Sequence, residues 1–335
     1  MTIDIDQALV LPCGVTLKNR IAKAAMTEGM ADYQGAPGEH LNRLYSRWAM
    51  GGAALLLSGN FQVDANHLER PGNVIIDRMP DTAMRTALQN MAQAGTQNHT
   101  QLWAQLSHAG RQTMKNVNPK PHAPSSVQVG IAGGLFGQPK ALGLDEIKTL
   151  VQRFTDAAST VQAAGFTGVQ IHAAHGYLVS QFLSPRTNLR NDHYGGSLEN
   201  RARFLLEIVA SVRSEVGSGF PVSVKLNSAD FQRGGFNFDE SLQVAKWLQD
   251  ASVDLLEVSG GTYEQPKLMG TEGIEAVEPQ RRVAASTLAR EAYFVDFAKA
   301  MREQLSMPLM VTGGFRSRDA MQQALQAGAA DLIGL

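Results

Sequence analysis

A (β/α)8 barrel is the fold class this sequence predicts. Three observations carry it: eight short apolar runs of buried-strand length, longer amphipathic segments between them, and no Pro/Gly/Ser-rich linker that would split the chain into two sheets. In chain order the strands read RIAKAAM from Arg20, AALLLS from Ala53, HTQLWAQL from His99 and GVQIHA from Gly168. They continue with PVSVKLN from Pro221, DLLEVS from Asp254, PLMVTG from Pro308 and DLIGL from Asp331. Among the intervening helix patterns is LDEIKTLVQRFTDAASTVQAAG, where Asp145 or a neighbour caps the start and Gly165 ends the helix. Residues 107–143 read as a long loop or hairpin after the third strand, and 176–196 as an insertion after the fourth. Both lie where barrel loops shape a substrate pocket.

Composition excludes several classes of partner. The chain has 335 residues, is 44% hydrophobic and 18% charged, and carries a net charge of −1. That balance supports a large core and gives no electrostatic preference for nucleic acid or anionic lipid. A single cysteine, Cys13, allows neither a disulfide framework nor a thiolate metal site within one chain. The N-terminal MTIDIDQALVLP has no basic segment followed by a long apolar one, and no stretch approaches the roughly 18 continuous apolar residues of a membrane span. A cytoplasmic protein is expected, with homo-oligomerisation left open.

In this register the C-terminal strand ends carry Thr27, Ser58 with Gly59, Gln105 with His108, His172 with His175, Lys225, Ser259 with Gly260, and Gly313 with Gly314. Polar groups and glycines from seven of the eight strands converge on one mouth, the place where such barrels do chemistry. Lys225 is the least comfortable as a purely structural residue, because VSVKLN puts a long cation at a buried position. It either forms an ion pair with an acidic neighbour or aims a fixed charge at a cofactor or at charge developing in a reaction. His172 and His175 admit three readings: metal ligands lacking a clear third partner, core histidines satisfied by backbone, or hydrogen-bond donors to a substrate oxygen. The last is preferred, and no metal is assigned. VTGGFR at 311–316, followed by the helix pattern SRDAMQQALQAG, places a glycine turn between strand and helix, which presents backbone N–H groups to a phosphate. No GxGxxG fingerprint follows a strand, so a Rossmann domain is not supported.

The segment HAAHGYLVSQFLSPRTNLRNDHYGGSLENRARF closely resembles the most diagnostic stretch of the old yellow enzyme family of FMN-dependent oxidoreductases. LKNRIAKAAMTEGMAD, QLSHAGR and VTGGFR follow in that family's order, and the similarity covers essentially the whole chain. The resemblance implies one FMN-binding TIM-barrel domain over residues 1–335, reducing the activated C=C bond of an α,β-unsaturated carbonyl or nitro compound with NADH or NADPH as donor. It implies that Ala25, Met26 and Gly59 line the isoalloxazine, and that Thr27 hydrogen-bonds a flavin carbonyl and tunes its potential. By the same resemblance Gln105 meets the pyrimidine edge, Lys225 faces flavin N1, and Gly313 and Gly314 receive the phosphate. His172 and His175 match the pair that grips the acceptor oxygen, and Tyr177 the tyrosine that protonates the neighbouring carbon. YGGSLENR is expected to be architectural.

Two departures from the family pattern stand out. Ala25 replaces a frequent proline, and DLIGL is where family members continue with a glycine, a phosphate-clamping arginine and a final helix, so the eighth helix and tail are expected beyond Leu335. Three other readings remain: the barrel portion of a larger dienoyl-CoA-reductase-like or amine-dehydrogenase-like flavin/iron–sulfur enzyme, a flavin-free aldolase or isomerase using Lys225, and a non-catalytic flavin-binding protein.

Overall fold

The computed structural model describes residues 3–131, 133–265 and 294–335. Eight parallel strands close into a ring: β1 (Ile21–Lys23), β2 (Leu55–Gln62), β3 (Gln101–Ser107), β4 (Gly168–Ala173), β5 (Val222–Asn227), β6 (Leu255–Ser259), β7 (Leu309–Thr312) and β8 (Leu332–Gly334). Each pairs with its neighbour in sequence, and β8 returns to β1 through Ile333↔Ile21 and Gly334↔Ala22. All eight expected strands are present. Helices cover the outside: α1 (Glu39–Met50), α2 (Thr82–Gly95), α3 (Leu144–Ala163), α4 (Leu198–Val216), α5 (Phe238–Asp250), α6 (Val295–Arg302) and α7 (Arg318–Gln326).

Alternation along the strands separates two apolar layers. Leu56, Leu102, Ala104, Val169 and Ile171 face outward into the helix-lined core. Leu55, Leu57, Trp103, Leu255, Met310 and Leu332 fill the ring's interior. A small antiparallel hairpin, Leu9–Val10 against Thr16–Leu17, puts Leu9, Leu11 and Leu17 into that interior cluster and plugs the N-terminal end of the barrel. Trp103 fits because β4 begins with Gly168, where a Cβ would lie 2.5 Å from the indole Cδ1. With one end plugged and its first interior layer mostly apolar, the larger polar side chains that face inward, such as Gln105, His172 and Lys225, stand further along their strands.

A bulge in β2 re-aims the chain there. Leu57 pairs with Trp103 but Asn60 pairs with Gln105, so β2 carries one extra residue around Ser58–Gly59. The bulge puts Asn60 inside and leaves Phe61 in the outer core. Ser58 repairs the ladder, its Oγ accepting the Gln105 N–H at 2.9 Å.

The α3 start differs from the sequence expectation. The helix begins after Gly143, whose N–H donates to the Glu146 carboxylate at 2.7 Å, while Asp145 is exposed in the first turn. The carboxylate three residues into the helix wins because it can reach back to a free N–H. Gly165, at φ +96, ends the helix as expected. The long segment after β3 is a loop braced by a two-residue parallel ladder, His122–Ala123 with Lys140–Ala141, and by an isolated antiparallel bridge between Met114 and Phe136. The insertion after β4 contains a short helix, Leu178–Leu183.

Candidate active site

His172 lies at the last inward position of β4, two residues beyond Gln170 and four beyond Gly168. Its Nδ1 accepts the Ala174 N–H at 3.2 Å, so the ring proton sits on Nε2. His175 and Gly176 then adopt left-handed φ of 61° and 77°, reversing the chain. A left-handed histidine costs roughly 1–2 kcal/mol. Two hydrogen bonds hold it: the His175 N–H to Asn227 Oδ1 and Gln112 Nε2 to the His175 carbonyl, each 3.1 Å. Its ring meets Ser259 Oγ at 2.7 Å through Nε2 and stands edge-on to His172 with centroids 5.1 Å apart. Tyr177 completes the group, its ring 4.8 Å from His172 and its hydroxyl 2.8 Å from that of Tyr263.

Burial dominates the ionisation of this cluster. It holds both imidazoles well below their usual range, with further lowering of His172 by His175 and Lys225 and of His175 by Lys225. It lifts Tyr177 well above a normal phenol, helped by Tyr263 and Glu69, and raises Tyr263 to about 12. At neutral pH the site therefore offers uncharged N–H and O–H groups, suited to stabilising a developing oxyanion and delivering a proton.

Below the histidines the barrel interior is polar. Gln105 Nε2 donates to Gln170 Oε1 at 2.7 Å, Gln170 Nε2 donates to Glu257 Oε2 at 2.9 Å, and Lys225 Nζ pairs with Glu257 Oε1 at 2.9 Å. The row crosses β3, β4, β6 and β5. Of the two sequence readings of Lys225, the ion pair with an acidic neighbour describes the structure. Its charge is balanced by Glu257, which is fully buried.

Across the mouth, the Thr27 hydroxyl donates to Glu69 Oε2 at 2.6 Å, and Asn60 Nδ2 donates to the same oxygen at 2.7 Å. Arg70 Nη2 reaches Glu69 Oε1 at 2.9 Å. Gly59 is filled by the chain itself: a Cβ there would lie 2.2 Å from Glu28 Oε2 and 2.5 Å from the Met26 carbonyl, and its N–H donates to Glu28. Ala25 is half-buried and Met26 exposed. Gly260 packs under Phe231 and Phe294.

His108 turns away from the mouth, into a cluster with Asp64 and His67 whose ligand-type atoms all lie within 4.8 Å of one another. Tautomers argue against a metal there. The His122 N–H donates to His67 Nε2 at 2.9 Å and the Gly110 N–H to His108 Nδ1 at 3.0 Å. The nitrogens facing Asp64 therefore carry the protons, and Arg153 adds a cation 2.8 Å from the carboxylate. Burial pushes the Asp64 carboxyl up, but the His108 and His67 rings facing it outweigh that and hold the group far below the usual range.

Residues 12–335 match the model of the NADH:flavin oxidoreductase / NADH oxidase family. The chain belongs to that family. It is 38% identical to the NADH-dependent flavin oxidoreductase of Hypocrea jecorina over 98% of this chain and 84% of the relative. Among solved structures, the old yellow enzyme homologue from Zymomonas mobilis is 27% identical with a TM-score of 0.80, over 99% of this chain and 88% of that one. A morphinone reductase in complex with tetrahydroNAD is 25% identical with a TM-score of 0.78, over 99% and 86%. Membership makes the chain a flavin-dependent oxidoreductase of old yellow enzyme type and sets aside the aldolase, isomerase and non-catalytic readings.

An NADH:flavin oxidoreductase of this family needs a place for FMN, and the strand ends fit one. Among the described residues, Asn60 Oδ1 and Thr312 Oγ1 are buried polar atoms with no protein partner, both where β2 and β7 reach the mouth. Gly313 and Gly314 follow β7 with left-handed φ of 97° and 81°, a turn that side chains resist, and lead to α7 capped by Ser317. Sequence reading missed Gln170, Glu257, Glu69 and Tyr263. The first two had a signal, a polar residue at an inward strand position like that of Lys225; Glu69 and Tyr263 lie in loops that periodicity does not register. Among the described residues no helix is long and apolar enough to cross a membrane.

Proposed function

We propose that the chain, as one FMN-binding barrel domain, reduces the activated C=C bond of α,β-unsaturated carbonyl or nitro compounds with NADH or NADPH as donor. The observation that carries this is the convergence of His172, His175 and Tyr177, three neutral rings with centroids about 5 Å apart at the end of β4. FMN, when bound, supplies the two-electron carrier between nicotinamide and acceptor. His172 Nε2–H and the His175 ring bind the acceptor oxygen and stabilise the charge that gathers on it. Tyr177 donates the proton that the carbon next to the carbonyl takes up. Tyr263, at 2.8 Å, is the hydroxyl from which Tyr177 can be reprotonated. The turn at Gly313 and Gly314 receives the cofactor phosphate, with the Gly314 N–H offered to it while that of Gly313 is directed at the Gly334 carbonyl at 3.4 Å. Lys225 and Gln105 form the floor beneath its ring. The single Cys13 suits a cytoplasmic enzyme.

Tyr177→Phe tests the assignment: reduction of bound FMN by NAD(P)H is retained, while enone turnover falls by roughly 10²-fold or more. Unchanged turnover with every enone tried removes the proton-donor role. His172→Ala with His175→Ala abolishes the long-wavelength band that phenols give on binding over oxidised flavin, and retention of that band removes the oxygen-gripping role.

A further inference from the structure

Arg111, the last residue of QLSHAGR, is 3% exposed and ties together the two turns that carry the phenols of the site. Its main chain belongs to the turn of Tyr177: Gln181 Oε1 accepts the Arg111 N–H at 3.2 Å while Gln181 Nε2 donates to the Gly176 carbonyl at 2.7 Å. The next residue, Gln112, holds the His175 carbonyl. Its guanidinium belongs to the turn of Tyr263, where Nη2 pairs with Glu264 Oε2 at 2.5 Å and Glu264 Oε1 accepts the Gly130 N–H at 2.6 Å. Tyr263 and Glu264 are the two central residues of a tight turn in which the Gln265 N–H meets the Thr262 carbonyl at 3.0 Å. A fixed Glu264 therefore fixes the direction in which Tyr263 leaves that turn. Arg111 Nη1 also donates to the Gln128 carbonyl at 2.9 Å, a pairing that a planar fork achieves and a point charge does not.

We propose that Arg111 and Glu264 are positioning residues for proton delivery: their ion pair holds the Tyr263 hydroxyl against that of Tyr177, so that Tyr263 donates to the oxygen from which the acceptor takes its proton. The inference rests on the proton-donor reading of Tyr177 above and adds what keeps its partner in range. As the acceptor carbon forms its C–H bond, the Tyr177 O–H bond breaks and its electron pair stays on the phenol oxygen. That oxygen is buried, and Tyr263 at 2.8 Å is the donor that stabilises the charge and then passes on its own proton. Tyr263 is half-buried and recovers a proton from solvent. A shift of roughly 1 Å in its turn takes the pair out of hydrogen-bond reach.

The test mixes pre-reduced, FMN-loaded protein with an enone and follows formation of the reduced product, so that reduction by NAD(P)H does not limit the rate. Glu264→Gln keeps the shape and the acceptor for Gly130 but removes the ion pair; it lowers the limiting rate about tenfold, while the half-saturating enone concentration stays within roughly threefold of wild type. The solvent deuterium isotope effect on that rate rises, because the proton step has slowed; a general loosening of the site leaves it where it was. Combined with Tyr263→Phe, Glu264→Gln adds less than about twofold, because the hydroxyl it positions is already gone. An unchanged rate in Glu264→Gln overturns the proposal, as does an equal loss in the Tyr263→Phe background or a fall in rate without a rise in the isotope effect. Arg111→Lys, a cation without the fork, decides the matter if the Glu264 variant does not fold: it slows product formation with the same rise in isotope effect, and a wild-type rate overturns the proposal. Unchanged turnover in Tyr177→Phe overturns the proton-donor reading itself, whereas a loss in Tyr177→Phe with none in Glu264→Gln overturns only the role of the ion pair.

Discussion

Removing Lys225 should cost the fold more than removing most side chains of its size. The Lys225 and Glu257 side chains are 6% and 0% exposed, and their 2.9 Å contact lies inside the barrel ring. In Lys225→Met, Glu257 keeps a single neutral donor, Gln170 at 2.9 Å, for a carboxylate that water does not reach. Breaking a buried pair from one side costs about 3–5 kcal/mol, chiefly the desolvation of the charge left behind. Removing both charges avoids that cost: Lys225→Met with Glu257→Gln keeps the volume nearly constant and should lie within about 1–2 kcal/mol of wild type. Urea unfolding followed by far-ultraviolet circular dichroism, without added FMN so that ligand linkage does not contribute, measures all three proteins. A single variant within 1 kcal/mol of wild type, or a double variant no more stable than the single, would refute the reasoning.

Lys23 offers a pH test. Its ammonium is buried beside the Leu57 carbonyl at 2.9 Å and over the Trp48 ring at 4.4 Å, and burial lowers its pKa to about 8 against the partial support of Glu28. Between pH 8 and 10.5 the unfolded chain holds a proton that the native one has lost, so this group's penalty of about 3 kcal/mol, complete below pH 8, disappears as pH rises through that window. Wild type should therefore gain stability relative to Lys23→Met from pH 7.5 to 10 in urea titrations, and parallel pH profiles would count against the burial of a charged lysine. Gly168→Ala forces a Cβ to 2.5 Å from the fully buried Trp103 ring and should cost about 1–3 kcal/mol with a changed near-ultraviolet spectrum. Equal stability with an unchanged spectrum would show that the indole has room to move.

The barrel was legible because strands buried on both faces have an unmistakable pattern, and every run from RIAKAAM to DLIGL contains a strand of the ring. The ends of those strands located the mouth, and His172, His175 and Tyr177 meet there as the order of the motif implied. Partnership was harder to read. Lys225 announced itself as a buried cation, but nothing in a one-dimensional pattern joins it to Glu257, which is 32 residues further on and adjacent only through the pairing of β5 with β6. The extra residue in β2 is invisible to periodicity, yet it decides that Asn60 faces inward. Thr27 follows the first strand as the sequence showed, while the direction of its hydroxyl depends on Glu69, a loop residue with no periodic context. His108 was assigned to the mouth from its strand-end position and instead serves Asp64, because the residue after an inward serine turns outward.

The seam between β8 and β1 fixes an order of events at birth. Ala22 and Ala24 of the first strand region exchange backbone hydrogen bonds with Leu335 at 2.9 Å each, partners synthesised about 310 residues later, or roughly 15–60 s at ordinary translation rates. Until then the nascent sheet has two raw margins, one at each extremity, and its apolar lumen stands open along a slit. Conditions that slow the ribosome late in the message should therefore lower the yield of folded protein more than those that slow it early.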